Sequence, residues 1–247
     1  MAKPQNIYDD PTFFAGYERL RRTGSGLNDI LEQPALWSML PQSLDGLRVL
    51  DLGCGFGDFA RKARHHGARS VVGIDVSERM LHEAKQQTKD EGIEYRHQGI
   101  EQLGLSDGPF ELIISSLALH YVENYADAVV RVAGLLAPGG RFVFSVEHPI
   151  CTALAAQQWS RAADGRALSW PVDNYQAEGA RDTTWFVGGV IKYHRTIETY
   201  VQGLLDAGLI LRGLREPEPV AGDGPQMVPN LELHRRRPPF LLLAAER

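Results

Sequence analysis

Cysteine is nearly absent from this chain: Cys54 and Cys151 are the only two in 247 residues, so disulfides do not staple the fold. No His/Cys/Asp cluster has metal-ligand spacing, and no Ser/His/Asp arrangement stands out as a nucleophilic triad. The opening MAKPQNIYDD has no apolar signal core, and no run of about 18 apolar residues could span a bilayer as a helix. These absences lead us to expect a cytoplasmic protein without a membrane partner. Basic residues are also in short supply, with 26 Lys and Arg against 31 Asp and Glu and a formal net charge of −5. Such a balance gives no broad attraction to nucleic acid or anionic lipid. The one basic run, Arg235 to Arg237, is followed by Pro238 and Pro239 and reads as a solvated loop. Internal repeats and low-complexity tracts are missing too. The length suffices for one α/β domain over residues 1–247, with an insertion and a substantial core.

What is present is concentrated between Arg48 and Asp75, RVLDLGCGFGDFARKARHHGARSVVGID. Val49, Leu50 and Leu52 form a short apolar run without helical period, and Gly53, Gly55 and Gly57 then crowd a turn ahead of a helix. Glycine at such a turn lets backbone approach a ligand closely. A second strand, Ser70 to Ile74, ends in Asp75, near the spacing from the glycines at which a carboxylate can hold both hydroxyls of a ribose. The pattern is GxGxG, whereas a dinucleotide turn has G-x-G-x-x-G with a small residue where this chain has Asp58. Asp51 and Asp58 would repel a pyrophosphate and favour a cationic amine. A cofactor with ribose and a cation but no phosphate fits best.

That combination resembles the class I S-adenosylmethionine-dependent methyltransferases. The resemblance covers Val49 to Arg141 and rests on VLDLGCGFG, on Asp75, on FELIISSLALHYV and on LLAPGGRFVF. It implies S-adenosyl-L-methionine as cofactor and a three-layer Rossmann-like sandwich. The sheet should have seven mostly parallel strands in the order 3-2-1-4-5-7-6, with an antiparallel last strand. Cofactor contacts implied by it include Gly53, Cys54 and Gly55 at the turn, with Asp51, Asp75, Val76 and Met80 nearby. Further along come Ile100, Ser115 and His120. Many relatives carry an aspartate after strand three for the adenine amino group; Gly99 occupies that position here, and the neighbouring Gln98, Ile100 or Glu101 would have to serve.

Strand and helix signals alternate through the centre, with strands at Ile93 to His97, Phe110 to Ser116 and Arg141 to Glu147, which favours a parallel sheet with ligands beyond its carboxyl ends. Ahead of the sheet, Phe13, Phe14, Tyr17, Leu20, Leu27, Ile30, Leu31 and Trp37 suggest amphipathic helices broken around Gly24 and Gly26, a cover over residues 1–45. By the same resemblance Tyr17, Arg21 and Arg22 are candidates for the methionine carboxylate, against an ordinary surface role for each. Residues 149–190 form an insertion longer than a crossover needs, and it holds three of the four tryptophans. With Trp159, Trp170, Tyr175, Trp185 and Tyr193 it reads as a lid over a small, partly aromatic or heterocyclic acceptor, or else as a flap stabilised by its own rings. Strand candidates Leu209 to Leu214 and Phe240 to Ala245 complete the sheet, and the loop between them, Glu216 to Pro239, is expected to line the acceptor site.

Methyl transfer needs mainly alignment of acceptor and methyl group, and a base only for a protonated acceptor atom. His148 and His194, flanking the insertion, are the leading candidates for that base, with His120 behind them. The expected activity is O- or N-methylation of a small-molecule acceptor by a monomer or homodimer. A methyltransferase acting on tRNA or protein, and a non-catalytic cofactor-binding protein, remain as alternatives.

Overall fold

The computed structural model describes residues 5–24, 26–104, 107–219 and 231–247. After a single 3-10 turn at Ile7–Asp9, the chain forms α1 (Pro11–Thr23), whose N-terminus is capped by the Asp10 side chain and which stops at Gly24 in the left-handed conformation. A short π-helical stretch, Asn28–Glu32, leads into α2 (Gln33–Ser38). Then come β1 (Arg48–Leu52), α3 (Asp58–His65), β2 (Ser70–Asp75), α4 (Glu78–Gln87) and β3 (Ile93–His97). They are followed by β4 (Phe110–Ser116), α5 (Tyr125–Leu135) and β5 (Leu136–Glu147). The insertion, which the structure extends past residue 190 to His194, contains α6 (Pro149–Thr152), β6 (Ser160–Arg161), β7 (Ala167–Ser169), β8 (Gly179–Trp185) and β9 (Val187–His194). The chain closes with α7 (Ile197–Asp206), β10 (Ile210–Arg215), α8 (Leu231–Arg236) and β11 (Phe240–Glu246).

Seven strands make one sheet in the order β10-β11-β5-β4-β1-β2-β3, the expected order with β10 and β11 as sixth and seventh strands. Neighbours among the first five pair in parallel, and β11 runs antiparallel to both β5 and β10. The central strands are buried on both faces, which is why they read as apolar runs rather than as alternation. Their side chains still divide by parity. Leu50, Leu52, Phe142, Phe144, Leu241 and Leu243 join one core with α5 and α7, while Val49, Val143, Leu242 and Ala244 join another with α2 and α3. Two cores on one sheet make the three-layer sandwich.

The insertion stands apart from this sheet as two separate two-stranded hairpins, β6–β7 and β8–β9. The second is tied down at both ends. At its tip, Phe186 sits so close to α1 that a Cβ on Gly16 would lie 2.7 Å from the ring. Beyond its base, the Arg195 guanidinium donates to the Val122 and Glu123 carbonyls at 2.5 and 2.7 Å. Of the loop expected to line the acceptor site, residues 220–230 lie outside the described residues. Glu216 to Pro219 and Leu231 face a different recess, against α2.

Candidate functional site

The carboxyl ends of β1, β2, β4 and β5, with the residue after β3, converge on one cavity of about 490 Å³. Its wall takes Gly53 to Phe56 from the glycine turn, Asp75 and Val76 at the end of β2, Gln98 after β3, Ser116 to Ala118 at the end of β4, and Glu147 from the end of β5. Strand ends supply these residues because the parallel sheet delivers every carboxyl terminus to the same edge.

At the glycine turn the backbone itself forms the surface. Gly53, Gly55 and Gly57 all have positive φ, at 74°, 50° and 74°. A Cβ on Gly53 would lie 2.5 Å from that of Ala118, whereas at Gly55 it would project into open space, the form of a cradle for a ligand. Asp75 spans the turn, accepting from the Gly55 N–H and the Ser77 N–H, each at 2.9 Å. Burial raises its pKa against those two hydrogen bonds. Asp51 is buried on β1 and lines the cavity, and its Oδ2 has no hydrogen-bond partner among the described residues. Burial first, then the charges of Asp75 and Asp58, push its pKa well up. An unpaired buried carboxylate oxygen between two further acids calls for a cation, so the donor set fits a ligand with an ammonium or sulfonium group. Arg21 also lines the cavity, shared between Asp29 at 2.8 Å and Asp58 at 3.3 Å. Arg22 instead pairs with Glu18 on the exposed side of α1.

Past the turn the wall becomes aromatic. Tyr8 packs edge-on against Tyr17 and Tyr121, with ring centroids 5.2 and 6.0 Å apart, and Trp185 meets Tyr17 at 5.9 Å. Asp9, next to Tyr8, accepts from the Ser77 hydroxyl at 2.6 Å and fastens this N-terminal stretch to the start of α4. His120 is buried, and burial lowers its pKa to about 4, so its ring is neutral near pH 7. Glu147 forms an ion pair with Lys192 of β9 at 2.5 Å. Burial would raise its pKa, but the charge of Lys192, with hydrogen bonds from Lys192 and Gln157, holds it below the ordinary value.

Measured against expectation, Tyr17, Arg21, Asp51, Gly53, Cys54, Gly55, Asp75, Val76, Met80, Ile100, His120 and Trp185 all line the cavity. Gly99 does not, although Gln98 and Glu101 on either side of Ile100 do. Ser115 is turned into the sheet, where its hydroxyl donates to the Leu52 carbonyl at 3.1 Å.

The leading base candidates also lie elsewhere. His148 Nδ1 accepts from the Ile150 N–H and so caps α6, which leaves Nε2 to donate to Glu216 at 2.7 Å. His194 Nε2 donates to the Tyr175 carbonyl at 2.9 Å, so Nδ1 must accept from the Thr152 hydroxyl at 2.7 Å. In each ring both nitrogens are committed, and neither ring lines the cavity.

The remaining aromatics serve packing. Trp159 and Trp170 stack edge-on at 5.5 Å beneath Arg236 and Arg237, Tyr175 accepts from the Ile197 N–H, and Tyr193 lies under Arg195. Sequence reasoning missed Tyr8, Tyr121 and Glu147. Glu147 had a signal in its position at a strand's carboxyl end; Tyr8 precedes any periodic pattern and had none. Among the described residues no group of three or more His, Cys, Asp or Glu could hold a metal ion, and no helix is long and apolar enough to cross a membrane.

Comparison with known proteins agrees with this geometry. Residues 50–144 match the family described as "Methyltransferase domain". The crystal structure of an S-adenosylmethionine-dependent methyltransferase from Mesorhizobium loti superposes with a TM-score of 0.82 at 44% identity, over 90% of this chain and 100% of that one. An uncharacterised protein of Haemophilus influenzae is 33% identical over 249 residues, 98% of this chain and 97% of its own. A ubiquinone biosynthesis O-methyltransferase of Roseobacter denitrificans is 35% identical over 107 residues, which is 42% of this chain and 43% of that protein. A cradle that fits ribose and a cation, the matched domain and a full-length structural relative lead to one conclusion: the chain belongs to the class I S-adenosylmethionine-dependent methyltransferases.

Proposed function

We propose that this enzyme methylates an oxygen or nitrogen of a small-molecule acceptor held at the aromatic end of the cavity. The observation that carries the reading is continuity. One continuous space runs from the glycine turn and Asp75 to Tyr8, His120, Tyr121, Glu147 and Trp185. A cavity of this size suits a cofactor with a small partner rather than a polymer, and the acidic chain offers no broad basic face for nucleic acid. The partial likeness to an O-methyltransferase favours oxygen without deciding it.

Bound S-adenosylmethionine supplies an electrophilic methyl group on a positively charged sulfur. In this reading Asp75 holds the ribose hydroxyls, Asp51 takes the ammonium group, and Arg21 stands near the carboxylate. Val76, Met80 and Ile100 flank the base, with Gln98 or Glu101 at its amino group. The aromatic wall excludes water and fixes the acceptor in line, and such positioning alone can supply up to ~7–11 kcal/mol. The β8–β9 hairpin, latched to α1 at Phe186, is the part of the insertion that covers this end, a narrower lid than the whole of 149–190.

The test is incubation of the purified chain with isotopically labelled methyl donor and a bacterial metabolite extract. Label should appear in the small-molecule fraction. Label confined to bulk RNA or protein, or absent from every fraction, would overturn the reading.

A further inference from the structure

Glu147 closes β5, and its side chain is 22% exposed, toward the cavity it lines. One carboxylate oxygen accepts from Lys192 Nζ at 2.5 Å and the other from Gln157 Nε2 at 3.3 Å. Both partners come from the insertion, and neither lines the cavity. The countercharge therefore stands behind the carboxylate, while an accepting edge faces inward. An ionised carboxylate has about four lone-pair sites, and two are used here. Lone pairs left in a wall of Tyr8, Tyr121, His120 and Trp185 are costly unless a ligand donor completes them.

Charge decides what such a ligand can be. Arg21 is the one Lys or Arg among the described residues lining the cavity, and it is already shared between Asp29 and Asp58. Asp51, Asp58, Asp75, Glu101 and Glu147 line the same space. A carboxylate or phosphate on the acceptor would face Glu147 with no free lysine or arginine of the wall to meet it, and only the donor's sulfonium, whose charge the transfer removes, on its side.

We propose that Glu147, positioned by Lys192, selects the acceptor: a small molecule that offers an O–H or N–H and carries no negative charge. This rests on reading the cavity as the methyl-transfer chamber. Lys192 is a positioning residue and touches no ligand. It holds the carboxylate ionised against burial; the other titratable groups around Glu147 are His120 and Tyr121 after β4, Cys151 on α6 and Tyr200 on α7.

The test uses three probes of one shape, phenol, anisole and benzoate, titrated calorimetrically into the full chain saturated with S-adenosylhomocysteine. Failure to bind S-adenosylhomocysteine overturns the cofactor reading and this proposal with it. Binding of S-adenosylhomocysteine isolates the proposal. Phenol should then bind at least about tenfold more tightly than either other probe, the effect of one hydrogen bond to a charged group. Glu147→Gln, nearly isosteric, should bring phenol and anisole within about threefold of each other. Lys192→Met leaves Glu147 without its countercharge, so the phenol preference should persist at about pH 8, below phenol's own ionisation at about pH 10, and fade as the solution is acidified. A purely structural ion pair would not produce that profile. The proposal is overturned if phenol and anisole bind the parent equally, if benzoate binds as well as phenol, if no probe binds at about 10 mM, or if Glu147→Gln leaves the ranking intact. Should Glu147→Gln fail to fold, the parent ranking and the Lys192→Met profile decide.

Discussion

Two stretches of this chain make opposite use of their residues. From Arg48 to Glu147, four strand ends and the residue after the fifth feed the cavity; from Pro149 to His194, with three of the four tryptophans, only Trp185 reaches it. The first stretch has a sheet with a core on each face to hold it, so its loops are free to carry ligand contacts. The second has two isolated hairpins, which are marginal on their own. Its aromatics are therefore drawn into packing: Trp159 on Trp170, Arg236 and Arg237 over those rings, Tyr175 at the start of α7. Aromatic richness in an unsupported insertion first answers a need for stability.

The sharpest way to break this division is through the cofactor. Gly55→Val adds a side chain where the cradle is open and forces a β-branched residue to φ 50°. S-adenosylhomocysteine affinity should fall more than about a hundredfold with the fold retained, since strain of ~1–2 kcal/mol adds to the lost space. Trp170→Ala should leave that affinity within about twofold, as expected of a distant site. A comparable loss from Trp170→Ala, measured by calorimetry, would dissolve the distinction.

Asp51→Asn comes next, weakening cofactor binding by roughly 1.5–3 kcal/mol, the range for a hydrogen bond to a charged group. The pH dependence has a definite sign. Burial raises the Asp51 pKa in the folded protein, so its contribution to stability is full below the ordinary carboxylate range and is lost as pH rises through the raised value. A bound cation offsets that loss. The gain in Tm on adding cofactor should therefore grow with pH in the parent and grow less in Asp51→Asn. Equal gains across the range in both proteins would sink the assignment.

A smaller effect separates the tryptophans. Trp185→Ala should raise the acceptor KM with kcat little changed, because it removes wall from the aromatic end. Trp170→Ala should instead lower Tm, by about 1–2 kcal/mol of stability, and leave KM alone. Steady-state kinetics beside thermal unfolding distinguishes the two, and matching KM values would return Trp170 to the acceptor site. Smallest of all, His148→Ala and His194→Ala should keep kcat within about threefold across pH, far from the effect of losing a general base. A drop of about a hundredfold in either would restore acid–base catalysis at that ring.

What could be read in advance was local. GxGxG followed at a fixed distance by Asp75 specifies a turn and a carboxylate through backbone sterics and spacing, needing no distant partner. The strands Ile93–His97 and Phe110–Ser116 fall where the apolar runs lie, and the parallel order follows from strand–helix alternation together with the family resemblance. Harder to read were the imidazoles. His148 and His194 flank the insertion as expected, yet a backbone N–H, a carbonyl, a carboxylate and a hydroxyl from elsewhere in the chain consume their nitrogens.

The sequence by itself determined the sheet, the cradle and the cofactor class, because glycine's freedom at positive φ, the apolar strand pattern and one acid at the end of β2 all fall within one strand–helix–strand stretch, Arg48 to Asp75. Only the tertiary structure decided which side chains line the aromatic end of the cavity. Tyr8 reaches the cavity because Asp9 fastens to Ser77, Trp185 because Phe186 docks on α1, and Glu147 stays ionised because Lys192 crosses from the inserted hairpin. Each is a contact between residues tens of positions apart or more, set by packing and countercharge rather than by pattern along the chain.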